Sequence, residues 1–159
     1  MRYFLLDKII AFEKGVIAKG IKCISLSEEI LHDHFPDIPI MPGALLIEAA
    51  AQLGSFLYEL TINAENDKLI RRSILAQVDK AKFNRAVEPG DKVILTAKLV
   101  ETTVNSTKCD VLLEIENKKV STMTLTLISK YIDSERIHEQ RKYLYHLWTK
   151  DLNPKPYII

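Results

Sequence analysis

Between Ile9 and Ser25 two short apolar runs flank Glu13-Lys14-Gly15, the pattern of a β-hairpin closed by a polar turn. Ser25 and Glu28 stand at capping-box spacing, and Ser27-Glu28-Glu29 predicts a short helical turn. Prolines at positions 36, 39 and 42 then impose a stiff, extended loop. Each fixes its own φ, removes a backbone donor and holds its predecessor out of the helical region. From Ala44 onward proline disappears, and Ala, Leu, Glu and Gln predict a long helix. Pro42 suits its first position, where a missing N–H costs nothing, and Gly43 leaves that terminus sterically open.

This helix is apolar on nearly every side, the texture of a buried element. Its polar residues Glu48, Gln52, Ser55 and Glu59 recur at three- and four-residue steps and therefore form one stripe. Spacing alone leaves two readings. The stripe is the solvated face of the helix, or it turns Glu48 toward a cleft shared with His34.

After a polar loop at 63–68 the pattern becomes β-rich. Ser73–Asn84 predicts one long strand or two, and Glu88-Pro89-Gly90-Asp91 a tight turn. Lys92–Thr103 places Val93, Leu95, Ala97 and Leu99 on one side, and Lys108–Ile115 does the same with Val111, Leu113 and Ile115. A turn at Asn117-Lys118 leads into Val120–Ile128, rich in β-branched residues. Ser134–Lys150 predicts a second, amphipathic helix with Ile137, Leu144, Leu147 and Trp148 near one face. One long apolar helix followed by consecutive antiparallel strands predicts an α+β fold in which the sheet wraps the helix.

At 159 residues, 47% of them apolar, the chain has enough length to bury a real core. A formal charge of +1 gives no overall pull toward nucleic acid or membrane. Cys23 and Cys109 fit no metal spacing, which points to a reducing, cytoplasmic setting. Asp7 and Lys8 interrupt the N-terminal apolar stretch before it reaches signal-peptide length. No run is expected to reach the length of a transmembrane helix.

His34 and Glu48 are the candidate chemistry. An imidazole that titrates near neutral pH and a carboxyl in apolar surroundings make a base and acid pair. Unpaired N–H groups at the helix start around Gly43, at the positive end of the dipole, can hold a carbonyl oxygen on which charge develops. Base, acid and carbonyl clamp are the parts needed to eliminate water from a β-hydroxy carbonyl compound. A structural histidine among prolines is the competing reading. His32 and His34 could share a metal, but no third ligand stands at a fitting spacing, so no metal is expected.

The letters of this segment carry more. His34-Phe35-Pro36, Pro39, Met41-Pro42-Gly43 and Glu48-Ala49, with Gln52 beyond, closely resemble the active-site segment of FabZ-type (3R)-hydroxyacyl-ACP dehydratases. A second block agrees in order and separation: Val78-Asp79-Lys80-Ala81-Lys82-Phe83, Arg85, Val87 and Pro89-Gly90-Asp91. The resemblance spans roughly residues 20 to 130 and implies a hotdog fold at 1–132, with 133–159 as an added helix and tail packed on it. It implies His34 as the base at C2 of a 3-hydroxyacyl thioester and Glu48 as the acid that protonates the departing hydroxyl. The Gly43 N–H would hold the thioester carbonyl, with Phe35, Pro36, Met41, Pro42, Gln52 and Phe83 around the substrate.

The same resemblance implies acyl carrier protein as partner and no cofactor beyond the substrate's phosphopantetheine arm. It also implies a homodimer, or a trimer of such dimers, with sites across the interface. Lys80, Lys82 and Arg85, with Arg71 and Arg72 upstream, form a basic cluster. It reads as a solvated strand face or as a landing site for the acidic carrier, weakened by salt. Too few aromatics accompany it for nucleic-acid stacking. Three features depart from the family: Asp33 where glycine is usual before the histidine, Ala44 where valine is usual, and the tail after Asp133. That tail could cover a tunnel mouth, extend an interface, bind another protein, or pack on the outside of the sheet. Two alternatives stay open beside the dehydratase: a hotdog thioesterase, and a non-catalytic acyl-thioester-binding subunit.

Overall fold

The computed structural model of the chain describes residues 4–65 and 67–159. Residues 1–3 of the N-terminal stretch and Asn66 of the polar loop lie outside them. The predicted hairpin is formed by β1 (Lys8–Glu13) and β2 (Ile17–Cys23), and the turn after it is a 3-10 helix at Glu29–His32. Half of the capping box forms: the Glu28 carboxylate accepts the Ser25 N–H at 3.2 Å and also pairs with Lys22 at 2.9 Å. The long helix α1 runs Gly43–Ile62. Pro42 is its N-cap, in extended geometry, and not its first residue as expected from the sequence.

Four strands follow: β3 (Arg71–Phe83), β4 (Lys92–Thr102), β5 (Ser106–Ile115) and β6 (Lys118–Tyr131), then the helix α2 (Glu135–Trp148). β3 is one strand, bent by two register shifts, which answers the one-or-two question. The β5–β6 turn is centred on Glu116 and Asn117, both at positive φ (51° and 61°), one residue earlier than Asn117-Lys118. Two consecutive left-handed residues suit the twist of a tight hairpin.

Among the described residues the strands form one antiparallel sheet in the order β1-β2-β4-β5-β6-β3. Chain order is broken once, where β3 crosses to the far edge and pairs with β6. The sheet curls around α1, which touches every strand from β2 to β6. Leu95, Leu113, Leu125 and Leu127 face it and are fully buried, as alternation predicts. This is the hotdog arrangement. At Gly54 the helix comes so close that an added Cβ would stand 3.0 Å from Cys109 Sγ. Burial there pushes the Cys109 thiol up to about 12.

α1 is long and apolar enough to cross a membrane, contrary to the sequence expectation, and most of it is buried within the fold. Its polar stripe is not a solvated face. Gln52, Ser55 and Glu59 are buried, and each is matched: Gln52 accepts the Leu5 N–H, Ser55 donates to Ser73, and Glu59 meets Ser73, Arg72 and Tyr145.

α2 lies against α1 and not on the outside of the sheet. The Tyr145 ring stands edge-on to Phe56, and its hydroxyl donates to Glu59. Trp148 donates its indole N–H to the Leu6 carbonyl at 2.9 Å. The buried face is Leu144, Tyr145 and Trp148, whereas Ile137 and Leu147 are exposed. The aromatic rings select this face because only their polar tips find partners on α1 and at Leu6.

Candidate active site

His34 sits on the loop between the 3-10 turn and α1, and backbone hydrogen bonds hold that loop from both sides. Phe35 and Ile38 exchange bonds at 3.0 Å, Ile40 N–H reaches the His34 carbonyl at 2.9 Å, and Met41 N–H reaches the Val87 carbonyl at 2.7 Å. Met41 is buried and anchors the loop in the core. Asp33 has an ordinary right-handed backbone (φ −106°, ψ −8°), so no glycine is required before the histidine.

The half-buried imidazole stacks on Phe35, and its Nδ1 lies 2.9 Å from the Ile40 carbonyl. A carbonyl oxygen can only accept, so Nδ1 carries a proton, and in the neutral ring Nε2 then has the lone pair. That tautomer is the one a general base requires.

Glu48 is one of the half-buried residues of α1, on the second turn. Gln52, one turn on, donates to Glu48 Oε1 at 3.0 Å while its own oxygen accepts the Leu5 N–H at 3.1 Å. Glu48 is thus held at one oxygen by a residue that is itself held. At the start of α1, Leu45 and Leu46 both donate to the Pro42 carbonyl, which leaves the Gly43 and Ala44 N–H groups without an intrahelical acceptor. Phe83, at the end of β3, closes over Gly43; a Cβ there would stand 3.0 Å from the ring. The glycine is needed for this approach.

Gly43 with Phe83, His34 with Phe35, and Glu48 with Gln52 are therefore brought together. Among the described residues no hydrogen bond joins His34 to Glu48. Pro36 is exposed and Pro42 half-buried, on either side of Met41.

The basic cluster separates. Lys80 and Lys82 are exposed and lie opposite Thr124 and Thr122. Arg85 makes a two-pronged pair with Asp91, at 2.9 and 3.1 Å, and so braces the Pro89-Gly90 turn. Arg72 is buried against Glu59, and Arg71 lies over the Tyr131 ring at 4.2 Å. The two upstream arginines are internal fittings and not part of a surface patch. The Glu59–Arg72–Tyr145 cluster was not recognised in the sequence; its one signal was a carboxylate far along an otherwise apolar helix.

Residues 2–124 match the family model described as a FabA-like domain. The chain belongs to this family. A relative from Psychrobacter arcticus named 3-hydroxyacyl-acyl-carrier-protein dehydratase FabZ is 37% identical over 118 residues, covering 73% of this chain and 79% of that protein. One of the same name from Koribacter versatilis is 41% identical over 96 residues, 60% of each chain. Among solved structures, smu.793 of Streptococcus mutans, bound to acetyl CoA, superposes with a TM-score of 0.64 at 14% identity, over 84% of this chain and 96% of that one. At that identity it speaks for the fold alone. The FabA-like match stops within β6, so α2 and its contacts to α1 lie beyond it.

Proposed function

We propose that the protein dehydrates (3R)-3-hydroxyacyl thioesters, carried on acyl carrier protein, to trans-2-enoyl thioesters. His34 with Nδ1 fixed on Ile40 and Nε2 without a hydrogen-bond partner among the described residues, in a FabA-like chain, is the observation that carries this reading. Nε2 takes the C2 proton while the thioester oxygen rests on the Gly43 N–H, which is open at the positive end of α1. Glu48, held at Oε1 by Gln52, gives its proton from the other oxygen to the departing hydroxyl, and water leaves. No redox step occurs, and the chemistry calls for no metal or organic cofactor; the phosphopantetheine arm belongs to the substrate. Phe35, Met41, Pro42 and Phe83 flank the acyl thioester, and exposed Lys80 and Lys82 meet the carrier. Arg85 contributes through the turn it braces.

The site is shared between two copies of the chain. β3 is an edge strand of thirteen residues whose helix-facing side chains beyond Ser73 are only partly covered. Val78 lies opposite fully buried Leu125, yet is 41% exposed, and Phe83 is 43% exposed. A long apolar edge of this kind is normally paired or covered. The other edge, β1, is already flanked by 152–156, with Lys8 paired to Asp151 at 2.6 Å. Antiparallel pairing of β3 with its copy covers the open edge and sets the His34 loop of one chain beside α1 of the other.

The first test is mass spectrometry of (3R)-hydroxyacyl carrier protein mixed with the purified chain. Loss of one water is expected; release of free thiol instead would assign a thioesterase, and binding without conversion an assembly subunit. The shared site has its own test. Inactive His34→Ala and Glu48→Gln proteins, mixed and allowed to exchange subunits, should recover about a quarter of wild-type activity. Half of the dimers are then mixed, and each of these has one intact site. Mixtures that stay inactive while exchanging subunits place both residues in the same chain's site.

A further inference from the structure

The buried cluster that joins α1, β3 and α2 is not used by the reaction. Glu59, fully buried, accepts the Ser73 N–H at Oε1 (2.8 Å), and Arg72 Nη1 and the Tyr145 hydroxyl at Oε2 (both 2.9 Å). Burial pushes the Tyr145 hydroxyl upward, so it stays a donor. The same guanidinium donates through Nε to His138 Nδ1 at 3.0 Å, and His138 Nε2 lies 2.7 Å from the Ile132 carbonyl. A carbonyl cannot donate, so the proton is on Nε2 and Nδ1 is free to accept from Arg72. This arrangement requires a neutral imidazole. His138 is half-buried and lines a hollow of about 470 Å³ open to Lys68, Asp133 and Glu135, through which protons reach it.

We propose that the His138–Arg72 contact is an acid-released latch that fastens α2 to β3, and through the Arg72–Glu59 pair to α1, and by way of Leu5 and Leu6 steadies Glu48. Protonation would turn Nδ1 into a donor facing the Arg72 N–H and set a second cation about 3 Å from the guanidinium. The other groups around the contact do not reverse this, and the Ile159 oxygen, 3.4 Å from Arg72 Nη2, is engaged by the guanidinium. Glu59 of α1 is already committed to Arg72, Tyr145 and Ser73, and Arg141 on α2, 3.4 Å from the Tyr145 hydroxyl, adds positive charge. Asp133 and Glu135 favour the cation, but both are exposed and screened by solvent, whereas the Arg72 contact is direct. Lys68 opposes them.

The path to the site is a series of hydrogen bonds. Trp148 of α2 holds the Leu6 carbonyl, the adjacent Leu5 N–H is held by Gln52, and Gln52 holds Glu48. When α2 lifts, the Leu5–Leu6 segment loses its outer support, and the Leu5 hydrogen bond to Gln52 is loosened. The release itself is independent of the proposed reaction; only this last link rests on it.

Trp148 is the chain's one tryptophan and is 1% exposed, so its emission reports α2 docking. On lowering pH from 8 to 5 the emission maximum should move reversibly to longer wavelength, with the sheet's circular dichroism retained. Amide exchange over 135–148, corrected for its intrinsic pH dependence, should speed up at least tenfold. His138→Gln keeps an acceptor for Arg72 and a donor for Ile132 but does not titrate, so it should abolish both changes; His146→Gln, close to the tryptophan in sequence, should leave them. A wild-type α2 whose emission and exchange ignore pH, or a His138→Gln protein that titrates like wild type, overturns the latch. If His138→Gln does not fold, wild-type exchange alone decides. Should the emission shift occur without any difference in acid-side turnover between wild type and His138→Gln, the latch stands and its link to Glu48 is refuted.

Discussion

His34→Ala should lower kcat/KM for 3-hydroxyacyl carrier protein by about 10²–10⁴-fold, the span of one general base. Stability should barely move. Among the described residues the imidazole makes one side-chain hydrogen bond, to Ile40, worth about 1 kcal/mol. The loop around it is held by backbone bonds that alanine keeps: Phe35 with Ile38, Ile40 with His34, and Met41 with Val87. A thermal melt run beside the kinetics separates the two effects. Glu48→Gln should cause a loss of similar size, because an amide fills the same space and still meets Gln52 but has no carboxyl proton to give. Turnover within tenfold of wild type for either variant removes that residue from the mechanism.

Arg72→Met should be strongly destabilising, by roughly 3–5 kcal/mol. It leaves Glu59, with no exposed surface, as a buried carboxylate that has lost its cation, and it takes away the His138 contact as well. The melting temperature should fall on the order of 10 °C. Pairing it with Glu59→Gln should recover much of the loss, since the uncompensated charge is then gone and the amide still meets Ser73 and Tyr145. A double variant as destabilised as Arg72→Met alone would show that Arg72 acts by packing and not by charge. Denaturant melts of wild type and the two variants make this comparison.

Much of the fold was legible because it follows from local rules. Proline spacing forced the loop at 34–42, the absence of proline after it allowed α1, and alternation in 92–99 and 108–115 marked the faces of β4 and β5. The candidate residues His34, Gly43 and Glu48 stood out for a different reason: they lie on one continuous loop-helix segment, where their types are read together. Open or mistaken readings fell where a residue's surroundings come from distant segments. For the stripe Gln52, Ser55 and Glu59 the solvated face stayed open as one of two readings, since nothing in its spacing tells of Leu5, Ser73, Arg72 or Tyr145 closing over it. The face of α2 was misassigned for the same reason. Hydrophobicity favoured Ile137 and Leu147, while the ring of Tyr145 and the indole of Trp148 found partners that only the packed chain supplies.

By itself the sequence determined the long helix, its entry loop, the antiparallel strands and the placing of His34, Gly43 and Glu48 on one segment. Periodicity and backbone restriction act over a few residues and need no knowledge of the rest of the chain. The tertiary structure alone decided that β3 is an open edge, that α2 covers α1, and that Glu59, Arg72 and His138 meet. Each of those depends on which strand crosses to the far side of the sheet, and on how the buried charges of Glu59 and Arg72, 13 residues apart on different elements, are neutralised in one place. Burying those charges is too costly unless all the partners arrive together.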